Sequence, residues 1–357
     1  MPPHQLKKTS LYKQKQKPAS LRSFFFSSAW YGKLVVMTDQ KKVFITGIAG
    51  FIGFHIAVAL KKRGDDVIGC DHFNDYYSPH LKQERARMLK ALGIEVITSD
   101  IRNIKTLSPL FTSKSITHLV HLAAQAGVRY SLTHPQTYIE SNIDGFLQVL
   151  ELCRSLPSLK LIFASSSSVY GNHTKAPFSE TSQTDDPASL YAATKKGGEL
   201  LAKTYHHLFN LSITSLRFFT VYGPWGRPDM AYFSFAKAIM EGKEIPLFNQ
   251  GKMKRDFTYI SDIEKGVLQA IDLCDGYHLY NLGNSESQEL LALVDLLEKS
   301  LGKKAKLSLK PMQKGDVFET YADISKAKKE LGFMPRVSLS EGISMFSKWF
   351  LEIGNAY

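Results

Sequence analysis

The chain has 357 residues, of which 44% are hydrophobic and 22% are charged. This length and composition are typical of a folded protein with one large or two medium domains, and they exclude a low-complexity chain. No run of about 18 apolar residues is present, so we expect no membrane span. The net charge is +12, but residues 1–36 hold seven Lys and Arg side chains and no acidic one. Because the excess charge concentrates there, we expect no nucleic-acid-binding face on the folded part.

The basic segment 1–36 has two interpretations. Basic, acid-poor tails occur in targeting segments. The segment can equally be translated sequence upstream of a start at Met37, from which "MTDQKKVFITG" leads directly into a strand. We favour the second interpretation and expect 1–36 to be a disordered tail or a misassigned start.

The three cysteines, Cys70, Cys153 and Cys274, lie far apart and form no C-x-x-C pattern. They fit neither a disulfide framework nor a zinc site, which indicates a reducing compartment, and we expect the protein in the cytoplasm. The close histidine pairs lack further ligands at metal spacing, so we expect no metal site.

From residue 42, short apolar runs alternate with helical stretches. The predicted strands are "KVFITG", "DVIGCD", "IEVITSD", "THLVHLAA", "LKLIFASSSS" and "SITSLRFF", and the helices between them end near Leu60 or span about 79–92, 135–153 and 190–208. This alternation predicts an α/β fold, a doubly wound parallel sheet of the Rossmann type with helices on both faces. After residue 224 the alternation of strand and helix segments becomes less regular. We expect a dinucleotide-binding domain over 42–224 and a smaller α/β substrate lobe over 225–357, with some of its elements packing on the main domain.

The motif "TGIAGFIG" places Gly47, Gly50 and Gly53 between the first strand and the first helix. Glycines there allow close backbone approach, and the helix N-terminus favours a pyrophosphate. The second strand ends at Asp71, where a carboxylate can accept hydrogen bonds from ribose hydroxyls and would repel a 2′-phosphate. The third strand ends at Asp100, in reach of an adenine edge, although an Asp in this place is often only a helix cap. We therefore expect NAD rather than NADP.

The reacting groups are expected at the end of the fifth strand and the start of the following helix. "FASSSSVYG" places four serines at the carboxyl end of a buried strand, where ligands bind in such sheets. Tyr191 and Lys195 are four residues apart and share one helix face. A neighbouring ammonium and an oxidised nicotinamide both stabilise a phenolate, so Tyr191 can act as acid and base with Lys195 as its electrostatic partner. Taken alone, this pair also fits an ordinary surface helix.

These motifs, together with "HLAAQAGVR", "YAATK" and "LRFFTVYGPWGRPDM", resemble the extended short-chain dehydrogenase/reductase family, and within it the NAD-dependent nucleotide-sugar epimerases. The resemblance runs from about Lys42 to near the C-terminus. It implies Ser166 as the catalytic serine, with Tyr191 and Lys195 as its partners. The expected cofactor-binding set is completed by Phe51, Ile52, Asn74, Ile101, Ala123 and Phe219, besides Tyr191 and Lys195 themselves.

The resemblance is compatible with three reactions: 4-epimerisation, 4,6-dehydration and decarboxylation. All three begin with oxidation of carbon 4 of the sugar. The dehydratases carry Asp-Glu after the catalytic hydroxyl residue, and the decarboxylases typically carry a Glu in that segment. Ser167 and Ser168 stand there in this chain and cannot act as acids. The sequence therefore favours 4-epimerisation.

A uronate is the expected sugar. In a 4-keto uronate the carboxylate is β to the ketone, so it must be held against loss of carbon dioxide. Ser167, Ser168, Thr220 and Arg227 are the expected carboxylate ligands, and the galactose epimerases generally have Asn in place of Thr220. We expect interconversion of UDP-glucuronate and UDP-galacturonate. The alternatives are a UDP-glucose or UDP-N-acetylhexosamine 4-epimerase, and a catalytically silent nucleotide-binding regulator.

The resemblance also implies contacts with the nucleotide. Arg255, in "KMKRDFTYI", is expected to reach the phosphates. Asp316 is expected to bind the ribose, although Lys314 replaces the usual proline before it. Arg129 is expected either near the site or as a structural partner of a helix cap. Asn142 is expected on the helix below the cofactor, as a support for nearby backbone. A homodimer is expected, formed by the helices near 135–153 and 189–208.

Overall fold

The computed structural model describes residues 40–172, 174–312 and 318–357. The basic tail 1–36 and Asp316 lie outside these ranges. The strands are β1 Lys42–Thr46, β2 Asp66–Asp71, β3 Glu95–Thr98, β4 His118–His121, β5 Lys160–Ser166, β6 Ile213–Phe218, β7 Thr220–Tyr222, β8 Glu244–Leu247, β9 Lys254–Arg255, β10 Phe257–Tyr259, β11 Tyr277–Leu282, β12 Gln288–Glu289 and β13 Lys306–Leu309. The helices are α1 Phe51–Arg63, α2 Pro79–Ala91, α3 Ser108–Ser113, α4 Tyr130–Thr133, α5 Pro135–Ile139, α6 Gly145–Ser155, α7 Leu190–Phe209, α8 Ala231–Glu241, α9 Ile260–Asp272, α10 Leu290–Leu301, α11 Ser325–Leu331 and α12 Leu339–Glu352.

Seven strands form one sheet in the order β11-β6-β5-β4-β1-β2-β3, and every pair of neighbours runs parallel. The chain starts in the middle of the sheet, moves to the β3 edge and then crosses to the other side of β1. Ligands bind at this crossing point in doubly wound sheets. The predicted fold class is confirmed.

Successive residues of the central strands enter different cores, because side chains alternate between the two faces of a strand. Val43, Ile45 and Val120 are buried in the hydrophobic core on one face. Phe44 and Leu119 are buried in the core on the other face. This arrangement explains the continuous apolar runs in the sequence, since both faces of the sheet are covered by helices.

The last strand of the sheet comes from the second half of the chain. β11 pairs with β6 in parallel, with Tyr277 opposite Ile213. On the other side of the fold, α9 packs on α1, where the imidazole of His55 and the carboxylate of Glu264 lie 3.0 Å apart. The division into 42–224 and 225–357 stays a prediction.

The predicted helix over 135–153 is observed as two α-helices joined by a π-helical turn, Glu140–Asp144. The buried side chain of Asn142 lies in this turn. Its Oδ1 accepts from the Gln125 amide at 2.8 Å, and its Nδ2 donates to the Gln125 carbonyl and to the Thr194 hydroxyl, both at 3.0 Å. The wider turn thus directs Asn142 into the loop after β4. None of the helices in the described ranges is long and apolar enough to cross a membrane.

Candidate active site

A cleft of about 830 Å³ opens at the carboxyl ends of the parallel strands. It is lined by residues that follow β1, β2, β4, β5 and β6, and by the loops around β7 and β9. Of the predicted site residues, all but two line this cleft. Asp100 does not, and Asp316 lies outside the described residues.

The glycine-rich loop forms the first wall of the cleft. Gly47 has a positive φ of 70°, and its amide donates to the Cys70 carbonyl at 2.8 Å. A Cβ on Gly53 would lie 2.2 Å from the Gly47 carbonyl oxygen, so helix α1 can approach the loop only with glycine there. The N-cap of α1 is Gly50, with no side-chain cap and no acidic residue in the first turn. The first amides of α1 are therefore available to an anion, which fits a pyrophosphate.

Asp71, the last residue of β2, binds the glycine-rich loop through its carboxylate. Its carboxylate is 8% exposed and accepts from the Ala49 amide at 3.1 Å and from the Phe73 amide at 2.9 Å. Both oxygens thus join the glycine-rich loop to the turn after β2, and the side chain still lines the cleft. Its contact with a ribose stays a prediction.

Asp100, unlike the other predicted cofactor residues, does not line the cleft. Its Oδ1 accepts from the Arg102 amide at 2.8 Å and caps the 3₁₀ turn Ile101–Leu107, while its Oδ2 pairs with the Arg102 guanidinium at 2.8 Å. Its neighbours Ser99 and Ile101 line the cleft. The structure therefore gives this side chain the helix-cap role, and its contact with adenine stays a prediction.

Sequence reasoning missed Lys82, a buried lysine of α2 beside Asp71. Its Nζ donates to the main-chain carbonyl of Asn74 at 2.7 Å and to the Asn74 side-chain oxygen, and it lies 4.5 Å from the ring centroid of Tyr77. The Asn74 amide in turn donates to the Gln125 side chain at 3.2 Å. Burial lowers the pKa of Lys82 to about 8.

A sequence signal for Lys82 exists. Together with Arg85 it lies on the buried face of α2, between Leu81 and Leu89. Cations on the apolar stripe of a helix need partners, so this pattern indicates a polar site beneath the helix.

Ser166 is the last residue of β5. Its Oγ accepts from the Ser168 amide at 3.2 Å and donates to the Ser168 hydroxyl at 3.1 Å, and a 3₁₀ turn over Ser167–Tyr170 follows. All three serines line the cleft. The segment is free of carboxylic acids, so the strand end offers only hydroxyl and amide groups to a ligand.

Tyr191 and Lys195 face the same cleft from the first turns of α7, whose N-terminus is capped by Ser189. The Lys195 Nζ donates to the Ala164 carbonyl at 2.8 Å and lies 5.3 Å from the ring centroid of Phe163. Burial lowers the pKa of Lys195 to about 8, and the charge of Glu199 opposes that shift. The interpretation of a solvated lysine on a surface helix is excluded, because Lys195 is only 4% exposed.

Burial raises the pKa of Tyr191, and a hydrogen bond with Ser166 and the charge of Arg227 act in the opposite direction. The sequence led us to expect a phenol whose pKa Lys195 and an oxidised nicotinamide lower together. In the structure the Lys195 ammonium donates to the Ala164 carbonyl. The expected joint effect of Lys195 and a nicotinamide on the pKa of Tyr191 stays a prediction.

Thr220 and Arg227 also line the cleft. Thr220 begins β7, and its amide donates to the Asp256 carbonyl at 3.1 Å. The Arg227 guanidinium makes a two-point ion pair with Asp229, with Nε at 3.0 Å from Oδ1. The Tyr76 hydroxyl donates to the same carboxylate at 3.0 Å. Sequence reasoning did not find Asp229 or Tyr76, although Asp229 stands two residues after Arg227.

Two more arginines line the cleft. Arg255, on β9, donates to the carbonyls of Lys254 at 2.7 Å and Phe318 at 3.3 Å. The Arg129 guanidinium lies 4.7 Å from the ring centroid of Phe248. Both side chains line the cleft, so it is cationic where a diphosphate is expected.

A model of the NAD dependent epimerase/dehydratase family matches residues 43–283. The chain belongs to this family. UDP-glucuronate 4-epimerase 4 of Arabidopsis thaliana is 51% identical over 328 residues, which are 87% of this chain and 75% of that protein. Family membership confirms the predicted recognition and, with it, a cofactor of the NAD type.

Two solved structures are similar over nearly their whole length. UDP-glucuronic acid 4-epimerase from Bacillus cereus, in complex with UDP-glucuronic acid and NAD, is 37% identical with a TM-score of 0.81, covering 87% of this chain and 99% of that one. UDP-glucose 4-epimerase from Thermotoga maritima, with UDP-glucose, is 29% identical with a TM-score of 0.79 and the same coverage.

The residues present fit NAD. The glycine-rich loop leaves no room for side chains, the uncapped N-terminus of α1 provides amides for a pyrophosphate, and Asp71 provides a carboxylate at the end of β2. This donor set is the one that dinucleotide-binding sheets use.

Proposed function

We propose that this protein is an NAD-dependent UDP-glucuronate 4-epimerase, an isomerase that interconverts UDP-glucuronate and UDP-galacturonate through a 4-keto intermediate. The observation that carries the proposal is one cleft that is lined by Tyr191 and Lys195, by an acid-free serine segment and by the cation of Arg227. The similarity to UDP-glucuronate 4-epimerases at about half identity supports the uronate as the sugar.

In this proposal Tyr191 removes the proton of the C4 hydroxyl and later returns it. Ser166 lines the same cleft as Tyr191, and its hydroxyl can polarise the same sugar oxygen. NAD⁺, held by the glycine-rich loop and Asp71, would supply a hydride acceptor and donor for C4. The charge of Lys195, which is 4% exposed and lies one helical turn after Tyr191, stabilises the phenolate as it forms.

The uronate carboxylate is held by groups that line the cleft, namely Ser167, Ser168, Thr220 and Arg227. Loss of carbon dioxide requires the breaking C–C bond to align with the π system of the ketone. Hydrogen bonds that hold the carboxylate near the plane of the ketone oppose that alignment. Arg255 and Arg129 provide cations for the diphosphate, and Asp316 is proposed for the ribose of the uridine.

We further propose a homodimer and a cytoplasmic location. The dimer rests on exposed apolar side chains of α6 and α7, of which Leu200 is 55% exposed and Leu208 61% exposed. The location rests on Cys70, Cys153 and Cys274, which are buried free thiols and suit a reducing compartment. Size-exclusion chromatography with light scattering distinguishes a dimer of about 80 kDa from the 40.1 kDa monomer.

The test of the function is a discontinuous assay of the purified protein with UDP-glucuronate and no added cofactor, in which chromatography resolves the sugar nucleotides. UDP-galacturonate without UDP-pentose supports 4-epimerisation, retained NAD and suppressed decarboxylation together. Conversion of UDP-glucose but not of UDP-glucuronate overturns the uronate assignment. NAD binding with no turnover of either sugar supports the silent regulator.

A further inference from the structure

A buried ion pair lies directly beneath the reacting groups. Glu199, one helical turn after Lys195 on α7, is 4% exposed, and Arg217 on β6 is 2% exposed. The guanidinium makes two hydrogen bonds to the carboxylate, Nε to Oε1 at 2.8 Å and Nη2 to Oε2 at 2.7 Å. The pair therefore fastens α7 to strand β6 of the sheet.

The same carboxylate is bound by the strand that carries the catalytic serine. The Ser165 hydroxyl donates to Glu199 Oε1 at 2.6 Å, and Ser165 is the register partner of Arg217 across β5 and β6. Ser166 is the next residue along β5. A displacement of Glu199 would thus move the strand end with Ser166 relative to the helix with Tyr191.

Stability alone does not account for this arrangement. Replacing a buried ion pair with apolar residues of similar volume is often neutral or stabilising, because desolvation offsets most of the attraction. The Arg217 guanidinium also keeps one buried nitrogen, Nη1, without a hydrogen-bond partner in the described residues. Stability of the fold therefore does not require a polar cluster at this place.

We propose that Glu199, held by Arg217 and Ser165, is a positioning residue for the epimerisation: it keeps the Lys195 ammonium charged and fixes Ser166 opposite Tyr191. The inference rests on the function proposed above. Glu199 acts through Lys195 and Ser165, which lie between it and the cleft.

The charged and titratable groups around Lys195 support this role. From α7 come Tyr191 and Glu199, from β6 comes Arg217, and from β4 comes His121. Burial lowers the pKa of His121 to about 3, so the imidazole is neutral at working pH. The charge of Glu199 is the one that raises the pKa of Lys195 against the effect of burial.

The test compares pH profiles of kcat for wild-type protein and the double variant E199Q/R217M. This variant keeps the shape of residue 199 and leaves no unpaired buried charge. We expect the alkaline limb of the profile, where Lys195 loses its proton, to move down by about one pH unit. E199Q alone should move it in the same direction, which keeps the inference testable should the double variant fold poorly.

The matched control is Y277F. The Tyr277 hydroxyl donates to the main-chain carbonyl of Glu199 at 3.5 Å, so this variant perturbs the same helical turn without touching the carboxylate. Its alkaline limb should stay in place. A folded E199Q/R217M protein that retains its NAD and shows the wild-type profile would overturn the inference.

The proposed function and the proposed role of Glu199 are tested by different measurements. Wild-type turnover of UDP-glucuronate tests the function, whereas the profile of each variant relative to wild type tests Glu199. If the wild type converts only UDP-glucose, the same profiles are measured with that sugar, because the role of Glu199 concerns proton transfer at C4 and not the group at C5.

Discussion

Arg85 and Trp225 are joined by a hydrogen bond of 2.6 Å between the guanidinium Nη2 and the main-chain carbonyl. The same guanidinium donates to the Gly226 carbonyl at 2.9 Å and to the Ala49 carbonyl at 3.0 Å. Arg85 is fully buried. One side chain of α2 therefore ties the glycine-rich loop, on the cofactor side, to the loop that leads into Arg227, on the sugar side.

We expect Arg85→Met to lower the free energy of unfolding by about 2–4 kcal/mol, because three carbonyls lose a charged donor. The KM for the sugar nucleotide should rise as well, since the loop before Arg227 loses its anchor. Arg87→Met is the matched control on the same helix. The Arg87 side chain is 61% exposed and forms a surface ion pair with Glu84, so the change should stay within about 0.5 kcal/mol. Urea denaturation measures the free energy of unfolding of both variants. Equal losses in the two variants would contradict the anchoring role of Arg85.

The glycine-rich loop gives a second prediction. Gly53→Ala would place a methyl group 2.2 Å from the Gly47 carbonyl, so the loop must move away from α1. We expect the purified variant to lose most of its bound NAD, measured from the absorbance of the nucleotide released on acid denaturation. Gly197→Ala in α7 is the control, because its methyl group would meet only the Ile143 side chain at 3.3 Å. Full retention of NAD by the Gly53 variant would be inconsistent with this loop as the pyrophosphate site.

Local patterns predicted six of the seven strands of the sheet and most of the cleft, because strand periodicity and the glycine motif are properties of adjacent residues; β11 was not predicted. Tyr191, Lys195 and Ser166 were found for the same reason. Asp229, Tyr76 and Lys82 were missed, since their relevance depends on which distant loop the chain brings opposite them. The direction of the Lys195 ammonium, towards the Ala164 carbonyl, could not be read from the i,i+4 spacing, which fixes a shared helix face and not a contact.

The ion pair in the cleft gives a third prediction, about the choice of sugar. Asp229 neutralises Arg227, so a substrate carboxylate must compete with it for the guanidinium. Asp229→Asn keeps one acceptor for Arg227 and removes the competing charge. We therefore expect kcat/KM for UDP-glucuronate to rise several-fold relative to that for UDP-glucose.

Arg227→Met should have the opposite effect on the same ratio. It removes the cation itself, and the ratio should fall by one to two orders of magnitude, as is usual for a lost charge-assisted hydrogen bond. UDP-pentose should appear among its products if Arg227 also restrains decarboxylation. Unchanged selectivity in both variants would remove Arg227 from the carboxylate site.

The buried lysine gives a prediction on stability and pH. The pKa of Lys195 falls to about 8 in the folded protein from its usual 10.5, because burial disfavours the ammonium. Between pH 8 and pH 10.5, Lys195 is protonated in the unfolded chain and largely deprotonated in the folded protein. The contribution of Lys195 to the free energy of unfolding therefore rises with pH over this range. At pH 7 the folded state carries the full penalty of the buried charge.

We therefore expect Lys195→Met to be inactive yet more stable than wild type at pH 7, by about 2 kcal/mol once the lost hydrogen bond to Ala164 is included. The gain should shrink as the pH is raised from 8 to 10, which thermal denaturation across that range measures. Lys196→Met, at the half-buried neighbouring position, is the control and should show little gain at any pH. A Lys195→Met protein less stable than wild type at pH 7 would mean that the ammonium is well solvated or fully paired in the fold. The argument that Lys195 depends on Glu199 for its charge would then lose its physical basis.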